Sequence, residues 1–381
     1  MRPVIVDISN DYPDPMVPDK TRAVQALVEG TPEFRHVVYA LNRVNGWSGI
    51  GAVPFGEDRI AVAYRALPKG LFWEGRLGAV AGWIIADLKH KGIVPDLVAA
   101  HKFTVEGLIG QAVSKAFGVP LVCGIQGDTD TKILRNKPAL RARYRDIAEQ
   151  AAVVFPYAPW AFPVFHAMTG LDKAKCRFLP VVPACDDLSP APYVAQNKFV
   201  TVFNSDSWDR KNLVGVMAGM KLLTERFPDI TLDVYGRGKP DSMLAMIKAV
   251  RASGVQSRVA IRGPVQNALL SSVLKGYAGF VLPSKRETYG LVYAEALFAG
   301  VPVLFSKGRG IDGYFDETKI GYACDPFASK DIAAGLAHVL VHQAELKDSI
   351  AHAQSAGLFD VMRKGPILEQ YRAGLKQALG S

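Results

Sequence analysis

The strongest constraint on the fold is a pattern that runs through the chain twice, in which short apolar runs alternate with stretches of helical periodicity. In the first half, the apolar runs are residues 4–8, 36–41, 59–64, 96–101, 120–125, 152–157 and 177–182. In the second half, they are residues 199–204, 231–236, 258–263, 279–284, 301–306 and 320–325. Strands that alternate with helices form parallel sheets covered by helices on both faces. The sequence therefore predicts an α/β fold with two Rossmann-like, doubly wound parallel-sheet domains.

The stretch between the two sets, PACDDLSPAPYVAQNK at 183–198, contains three prolines and no apolar periodicity. Such a composition is typical of a linker between domains. We predict an N-terminal domain over 1–183, a linker over 184–198 and a C-terminal domain over 199–355. Ligands of such sheets bind beyond the carboxyl ends of the strands, so we expect a cleft that holds one substrate on each domain.

Composition excludes several classes of protein. The 381 residues are 49% hydrophobic and 21% charged, which is ordinary for a globular chain and not for a disordered one. The four cysteines form no C-x-x-C pair, and the histidines lie in no recognisable ligand pattern, so we expect neither a disulfide framework nor a bound metal. The first residues lack the layout of a signal peptide, and no apolar run approaches the length of a membrane span. A cytoplasmic protein is predicted.

Two common site motifs are absent from the sequence, and a third does not follow the first predicted strand. The first predicted strand continues as VDISNDYPDP rather than G-x-G-x-x-G, which disfavours a dinucleotide-dependent dehydrogenase. The chain contains no G-x-x-x-x-G-K-[ST] loop and no G-x-S-x-G elbow. The net charge of +9 is spread over both halves rather than concentrated in one patch, so nucleic acid is not an expected partner.

The most informative segment is 279–326, where a buried strand is followed by a loop with Glu287 and by a helix that Gly290 opens and that carries Glu295. The free N–H groups at such a helix start, here those of Tyr289, Gly290 and Leu291, suit a phosphate or diphosphate. A carboxylate one turn inside the helix is placed to accept hydrogen bonds from the vicinal hydroxyls of a ribose. A carboxylate before the helix is placed to contact a sugar attached to the diphosphate.

The same segment resembles the retaining GT-B glycosyltransferases of family 4, also called group 1, through the string P-S-x-x-E-x-x-G-L-x-x-x-E-A-x-x-x-G-x-P-V. The resemblance extends over about residues 95–330, through the segments 95–101, 118–122, 177–180, 262–265 and 309–311. It implies a GT-B fold and a hexosyltransferase that takes a sugar from a nucleoside diphosphate sugar, UDP rather than GDP. Transfer is then to a glycan or lipid-linked acceptor with retention of configuration and without metal or cofactor. The last residues, 356–381, are expected to form a helix that returns to the N-terminal domain.

The resemblance assigns roles residue by residue. Glu287, Lys211 and Arg210 are the predicted catalytic residues, with Glu287 on the donor sugar and Lys211 on the diphosphate. The residues predicted to bind the nucleotide sugar are Glu295, Tyr289, Gly290, Leu291, Gly236, Arg237 and Val265. On the acceptor or donor-sugar side, the predicted residues are His101, Gln126 and Asp128.

This chain also departs from the family pattern. Ser205 and Asp206 stand where an arginine is usual, Gln126 replaces a histidine, and the glycine pair after the first strand is replaced by the proline-containing stretch 11–19. Two other functions therefore stay open, a nucleotide-sugar epimerase of the same fold and a non-catalytic sugar-nucleotide or polysaccharide-binding protein. His101 has a second interpretation as a core residue, and Asp128 and Asp130 have one as loop caps.

Two features suggest that the protein binds to an anionic membrane surface. The expected role is in polysaccharide biosynthesis. Six basic residues and no acid lie between Lys132 and Arg145, and the stretch 67–76 places Leu71, Phe72 and Trp73 beside Lys69. Aromatic and basic side chains together suit a lipid interface. The alternatives are a solvated basic helix and an apolar helix start packed into the core. The sequence leaves the oligomeric state open.

Overall fold

The computed structural model describes residues 2–46, 49–66 and 72–380, and these residues divide into two compact units. The N-terminal unit comprises the described residues up to 157, residues 161–182 and those from 365 onward. The C-terminal unit comprises residues 158–160 and 183–364. Residues 184–198, predicted as a linker, therefore lie in the C-terminal unit, and so do residues 356–364.

The N-terminal unit is built on a seven-stranded sheet with the order β3-β4-β2-β1-β5-β6-β7. Its strands are β1 (Val4–Ser9), β2 (Arg35–Asn45), β3 (Ile50–Pro54), β4 (Arg59–Ala66), β5 (Leu97–Ala100), β6 (Leu121–Ile125) and β7 (Val153–Pro156). Its helices up to residue 182 are α1 (Ala23–Glu29), α2 (Trp73–His90), α3 (Glu106–Phe117), α4 (Asp128–Asn136), α5 (Arg141–Gln150) and α6 (Ala161–Thr169). The order reverses between β1 and β5, which makes the gap between these two strands the switch point of the sheet.

The C-terminal unit is built on a six-stranded, all-parallel sheet with the order β10-β9-β8-β11-β12-β13. Its strands are β8 (Lys198–Val202), β9 (Thr231–Tyr235), β10 (Val259–Gly263), β11 (Gly279–Val281), β12 (Val303–Ser306) and β13 (Gly321–Cys324). Its helices are α7 (Leu213–Lys221), α8 (Pro240–Arg251), α9 (Asn267–Lys275), α10 (Leu291–Phe298), α11 (Glu317–Ile320), α12 (Ser329–Val341) and α13 (Gln343–Ser355). The switch point lies between β8 and β11.

The predicted fold class is confirmed, because both sheets are wound in the Rossmann order and covered by helices. The apolar runs became strands since both faces of a parallel sheet are buried: every residue of β5, β6, β7 and β12 is buried. No helix among the described residues is long and apolar enough to cross a lipid bilayer.

Two local predictions differ from the structure. Residues 177–182 form no strand; this extended segment donates only single hydrogen bonds to β7, from the amide of Arg177 to Val154 and from that of Leu179 to Pro156. β7 ends at Pro156, the acceptor of the second bond, so no further residue of that strand is available to extend the pairing. The sequence analysis also missed β3, which pairs antiparallel with β4 at the sheet edge and is mostly exposed, so it has no buried apolar run.

The last helix, α14 (Lys364–Leu379), packs against the core of the N-terminal unit. Ile367, Tyr371 and Leu375 recur at helical spacing and join one core cluster with residues of β1, β5, β6 and β7. Gly374 allows close packing, because a Cβ there would lie 2.4 Å from the Phe155 ring. The helix begins eight residues after the predicted start at residue 356.

Candidate functional site

The switch point of the C-terminal unit brings two predicted residues together. Lys211 lies in the loop after β8 and Glu287 in the loop after β11, and the Lys211 ammonium forms an ion pair with the Glu287 carboxylate. Ser284 Oγ donates a further hydrogen bond, 3.3 Å long, to the same carboxylate oxygen. The side chains are 15% and 11% exposed, so the pair is largely withdrawn from water while part of each group stays accessible.

Asn212 explains why Lys211 lies where it does. This residue has a left-handed backbone (φ +64°), so α7 begins at Leu213, two residues after Lys211. Its buried side-chain amide donates to the carbonyls of Pro283 at 2.9 Å and Pro326 at 2.7 Å. The amide therefore joins the loop that carries Lys211 to the loop that carries Glu287.

The loop that carries Glu287 is held by further hydrogen bonds. The hydroxyl of Tyr293 donates to the Leu282 carbonyl, and Ser306 Oγ donates to the Ser284 carbonyl at 2.9 Å. The indole N–H of Trp160 donates to the Thr288 carbonyl at 3.1 Å. Sequence reasoning missed Trp160 because it lies 128 residues before its partner.

Two glycines leave room for the Glu287 side chain. Gly290 caps α10 with φ +78° and Gly310 has φ +61°. A Cβ on Gly290 would lie 3.3 Å from Cγ of Glu287 and 2.6 Å from the Tyr293 ring, and one on Gly310 would lie 3.5 Å and 2.9 Å from the same groups. The start of α10, with Leu291 as its first residue, is thereby kept next to Glu287.

A cavity of about 770 Å³ lies beyond the carboxyl ends of β8, β9 and β10. Four residues predicted to bind a nucleotide sugar line it together: Gly236, Arg237, Val265 and Glu295. Gly236 is required by the close approach of two loops, since a Cβ there would lie 1.8 Å from the carbonyl oxygen of Phe203. Burial raises the pKa of Glu295 to about 6, so its carboxyl is mostly ionised at neutral pH.

The remaining predicted residues of this unit differ in their placement. Arg210 is exposed and donates to Ser207 Oγ at 3.0 Å, whereas its neighbour Lys211 contacts Glu287. The side chain of Tyr289 is buried edge-on against Tyr314, with ring centroids 6.0 Å apart. Tyr289 therefore offers a ligand its backbone rather than its phenol.

In the N-terminal unit, two of the three predicted residues are already bonded to acids. His101 is buried at the end of β5, and its Nε2 lies 2.9 Å from Oδ1 of the buried Asp7, which agrees with the interpretation as a core residue. Gln126 donates to Asp11 at 2.6 Å. Asp128, the third, is half-buried in the first turn of α4.

Asp130 acts as a cap in this structure. Its buried carboxylate accepts hydrogen bonds from the backbone amides of Thr104 and Gln126, each 3.0 Å long. It therefore joins the loops after β5 and β6. Among the described residues, no group of three or more His, Cys, Asp or Glu side chains is arranged to hold a metal ion.

Comparison with known proteins finds one matching family model and several relatives. A family model described as "Glycosyl transferases group 1" matches residues 190–355. The GtfA subunit of a UDP-N-acetylglucosamine–peptide N-acetylglucosaminyltransferase from Streptococcus gordonii is 31% identical over 98 residues, 26% of this chain and 18% of that protein. The D-inositol 3-phosphate glycosyltransferase of Streptomyces griseus is 24% identical over 259 residues, 57% of this chain and 53% of that protein.

Among solved structures, the sucrose-phosphate synthase of Thermosynechococcus elongatus superposes with a TM-score of 0.74 at 16% identity, over 99% of each chain. Such a likeness shows a shared fold over the whole length.

The chain spans about half, or less, of the length of the two curated relatives. The matched family model and the shared fold both cover the unit that holds the Lys211–Glu287 pair and the cavity. Residues 190–355, less than half of the chain, are thus similar to the group 1 glycosyl transferases, the family whose model they match.

Proposed function

We propose that the chain transfers a hexosyl group from a nucleoside diphosphate sugar to a hydroxyl acceptor, with retention of anomeric configuration. The observation that supports this most directly is the placement of the Lys211–Glu287 pair at the switch point of the C-terminal unit, with the 770 Å³ cavity in the same unit. Doubly wound sheets bind their ligands at this point of the fold. The epimerase and the non-catalytic alternative are not favoured, because the relatives named above are transferases.

The cavity suits the nucleoside half of the donor. Glu295 supplies a mostly ionised carboxylate to the ribose hydroxyls, and the backbone near Gly236 and Val265 lines the space for the base. The name of the Streptococcus relative specifies a UDP-sugar, which supports uridine rather than guanosine as the base. The start of α10 then lies in the same unit to receive the diphosphate.

The charged groups near the start of α10 can stabilise the departure of the diphosphate from the sugar. When the bond between the anomeric carbon and the diphosphate oxygen breaks, its electron pair stays on that oxygen. The Lys211 ammonium and the free N–H groups at the start of α10 stabilise this charge in a partly dehydrated site. Glu287 is placed to accept hydrogen bonds from the sugar or to stabilise positive character at its anomeric carbon. None of the roles of Lys211, Glu287 and the start of α10 requires a metal or a cofactor.

The test is a panel of nucleotide sugars, each scored by thermal shift and by release of free nucleoside diphosphate. We expect a UDP-sugar to raise the melting temperature, and UDP release to depend on added acceptor. Conversion of a nucleotide sugar into its epimer without acceptor would identify the epimerase. Binding without release or conversion, over a broad acceptor panel, would identify the non-catalytic protein.

A second part of the proposal is that the chain acts as a peripheral protein on an anionic membrane, facing a lipid-linked acceptor in polysaccharide biosynthesis from the cytoplasmic side. Phe72, just before α2, is 71% exposed. The adjacent Trp73 lies under the Lys137 ammonium, 5.8 Å from the ring centroid, and Glu74 pairs with Arg143 at 3.4 Å. Exposed basic side chains follow on α4 and α5: Lys132, Arg135, Arg141, Arg143 and Arg145. Residues 67–71, with the predicted Lys69 and Leu71, lie outside the described residues.

We expect the triple substitution of Lys132, Arg135 and Arg141 by Gln to weaken binding to anionic vesicles. Each basic residue near such a surface contributes about 1 kcal/mol, so the loss is about a hundredfold at low salt. Co-sedimentation with phosphatidylserine vesicles at low and high salt measures it. The matched control removes three exposed basic residues of the C-terminal unit, Lys248, Arg251 and Lys330. An equal loss in both variants, or none in either, would contradict the membrane proposal.

A further inference from the structure

The switch point of the N-terminal unit carries a second charged cluster. It is formed by the loops that follow β1, β5 and β6. Lys102 Nζ pairs with Asp11 Oδ1 at 2.8 Å, and Gln126 Nε2 donates to Asp11 Oδ2 at 2.6 Å. Asp11 is 24% exposed and Lys102 is 13% exposed. Asp11 is therefore the more accessible charge of this pair, and Lys102 and Gln126 from two neighbouring loops fix the position of its carboxylate.

A buried acid of the same cluster has an unused oxygen. Glu106, at the start of α3, is fully buried and accepts hydrogen bonds at Oε1 from the backbone amide of Asn10 at 2.7 Å and from its side chain at 2.9 Å. Its other oxygen, Oε2, is buried and has no hydrogen-bond partner among the described residues. A buried oxygen without a partner is costly, and a donor from a ligand or a water removes the cost.

The charge balance of the cluster is acidic. Burial alone would raise the pKa of Asp11, but Lys102 and Gln126 outweigh it and hold the pKa below its ordinary value. Burial raises the pKa of Glu106 to about 7, which leaves its carboxyl about half ionised at neutral pH. The ammonium of Lys102 is already balanced by Asp11 and that of Lys20 by Asp14, so Glu106 adds negative charge to the cluster.

The loop after β1 is also unlike a phosphate-binding loop. Its conformation is fixed by Asp14, whose buried carboxylate accepts from the Met16 amide at 2.8 Å, from Lys20 Nζ at 2.7 Å and from Asn42 Nδ2 at 3.0 Å. The family's glycine pair, which lets an anion approach a backbone, is replaced here by a prolyl loop that presents Asp11.

We propose that this cluster is the acceptor site, and that it takes a polyhydroxylated ring bearing an amino group, without phosphate on that ring. Asp11 accepts hydrogen bonds from the hydroxyl or ammonium donors of the ring, and the acidic balance repels an anion. The inference rests on the proposed function, because it takes the ligand of the N-terminal unit to be the acceptor of the transferred sugar.

The experiment uses the full chain and calorimetry. UDP is titrated first. The UDP-saturated protein is then titrated with three forms of the same ring, which are the neutral sugar, the amino sugar and the 6-phosphate. The first set is glucose, glucosamine and glucose 6-phosphate, and the galactose and mannose sets correspond to it. We expect the amino form to bind at least tenfold more tightly than the phosphate form of the same ring. Failure to bind UDP would contradict the proposed function. If UDP binds but the phosphate form binds more tightly than the amino form, the acceptor inference alone is overturned. The same holds if UDP binds and no sugar of any set binds.

The variant Asp11→Asn distinguishes recognition of the amino group by Asp11 from an effect of the total charge of the loop. It frees Lys102, so we expect the preference for the amino form to fall at least tenfold or to reverse, while UDP affinity stays unchanged. The matched control is Asp19→Asn, an exposed acid of the same loop, which should keep the preference. If Asp11→Asn does not fold, Glu106→Gln replaces it and should lower the same preference. An unchanged preference in the folded variant would overturn the proposal.

Discussion

Replacement of Lys211 by Met is expected to lower turnover by about two to three orders of magnitude, the range seen when one fixed donor to a developing negative charge is removed. The side chain is held against Glu287 by Asn212 and by the two loops of the switch point. Since the charge it stabilises is largest in the transition state, kcat should fall more than the affinity for UDP-sugar. Steady-state UDP release, with UDP binding measured separately, checks this.

The matched control for Lys211 is Lys285→Met. Lys285 lies in the same loop as Glu287 but pairs at 2.8 Å with the exposed Asp209. Its removal should change turnover by less than twofold. Arg210→Met tests the other predicted cation, and its exposed position with a bond to Ser207 leads us to expect a smaller effect than for Lys211. A fall in UDP affinity as large as the fall in kcat would contradict the assigned role of Lys211.

Replacement of Glu295 by Ala is expected to weaken UDP-sugar binding by about 1.5–3 kcal/mol, the contribution of a hydrogen bond to a charged group. At about 1.4 kcal/mol per factor of ten, this is roughly a 10- to 150-fold rise in Kd. The carboxylate lines the cavity of the C-terminal unit on a helix that is otherwise mostly buried. Calorimetry with UDP measures the change, and an unaltered affinity would remove Glu295 from the site.

The pH dependence of binding gives an independent check on Glu295. Burial raises its pKa to about 6, and ribose hydroxyls donate to the ionised form, so binding favours deprotonation. Affinity should therefore be full above pH 7 and fall as the pH drops through 6. The phosphates of UDP titrate in the same range, so the quantity to compare is the difference between the wild type and Glu295→Gln. The variant should lack the additional fall; identical profiles would contradict the assignment.

Local sequence carries much of the fold. The apolar runs predicted the strands of both units because strands buried on both faces must be apolar along their whole length. The segment around Gly290 is informative for a related reason. Its glycine, its acids and its helix start lie within a few residues of each other, so their placement depends mainly on local backbone geometry. Edge strand β3 was missed because its side chains are mostly exposed.

The pairing within each site was decided by the tertiary structure. Lys211 and Glu287 are 76 residues apart, and Asp11 and Lys102 are 91 residues apart. Nothing in the sequence around Asp11 marks it as a partner of Lys102, because the two meet only where strand order reverses and the loops of separate strands emerge side by side. The sequence alone therefore determined which elements form and which chemistry each loop carries. Only the folded sheets decided which of those loops became neighbours, since contact between distant residues depends on strand order and not on local propensity.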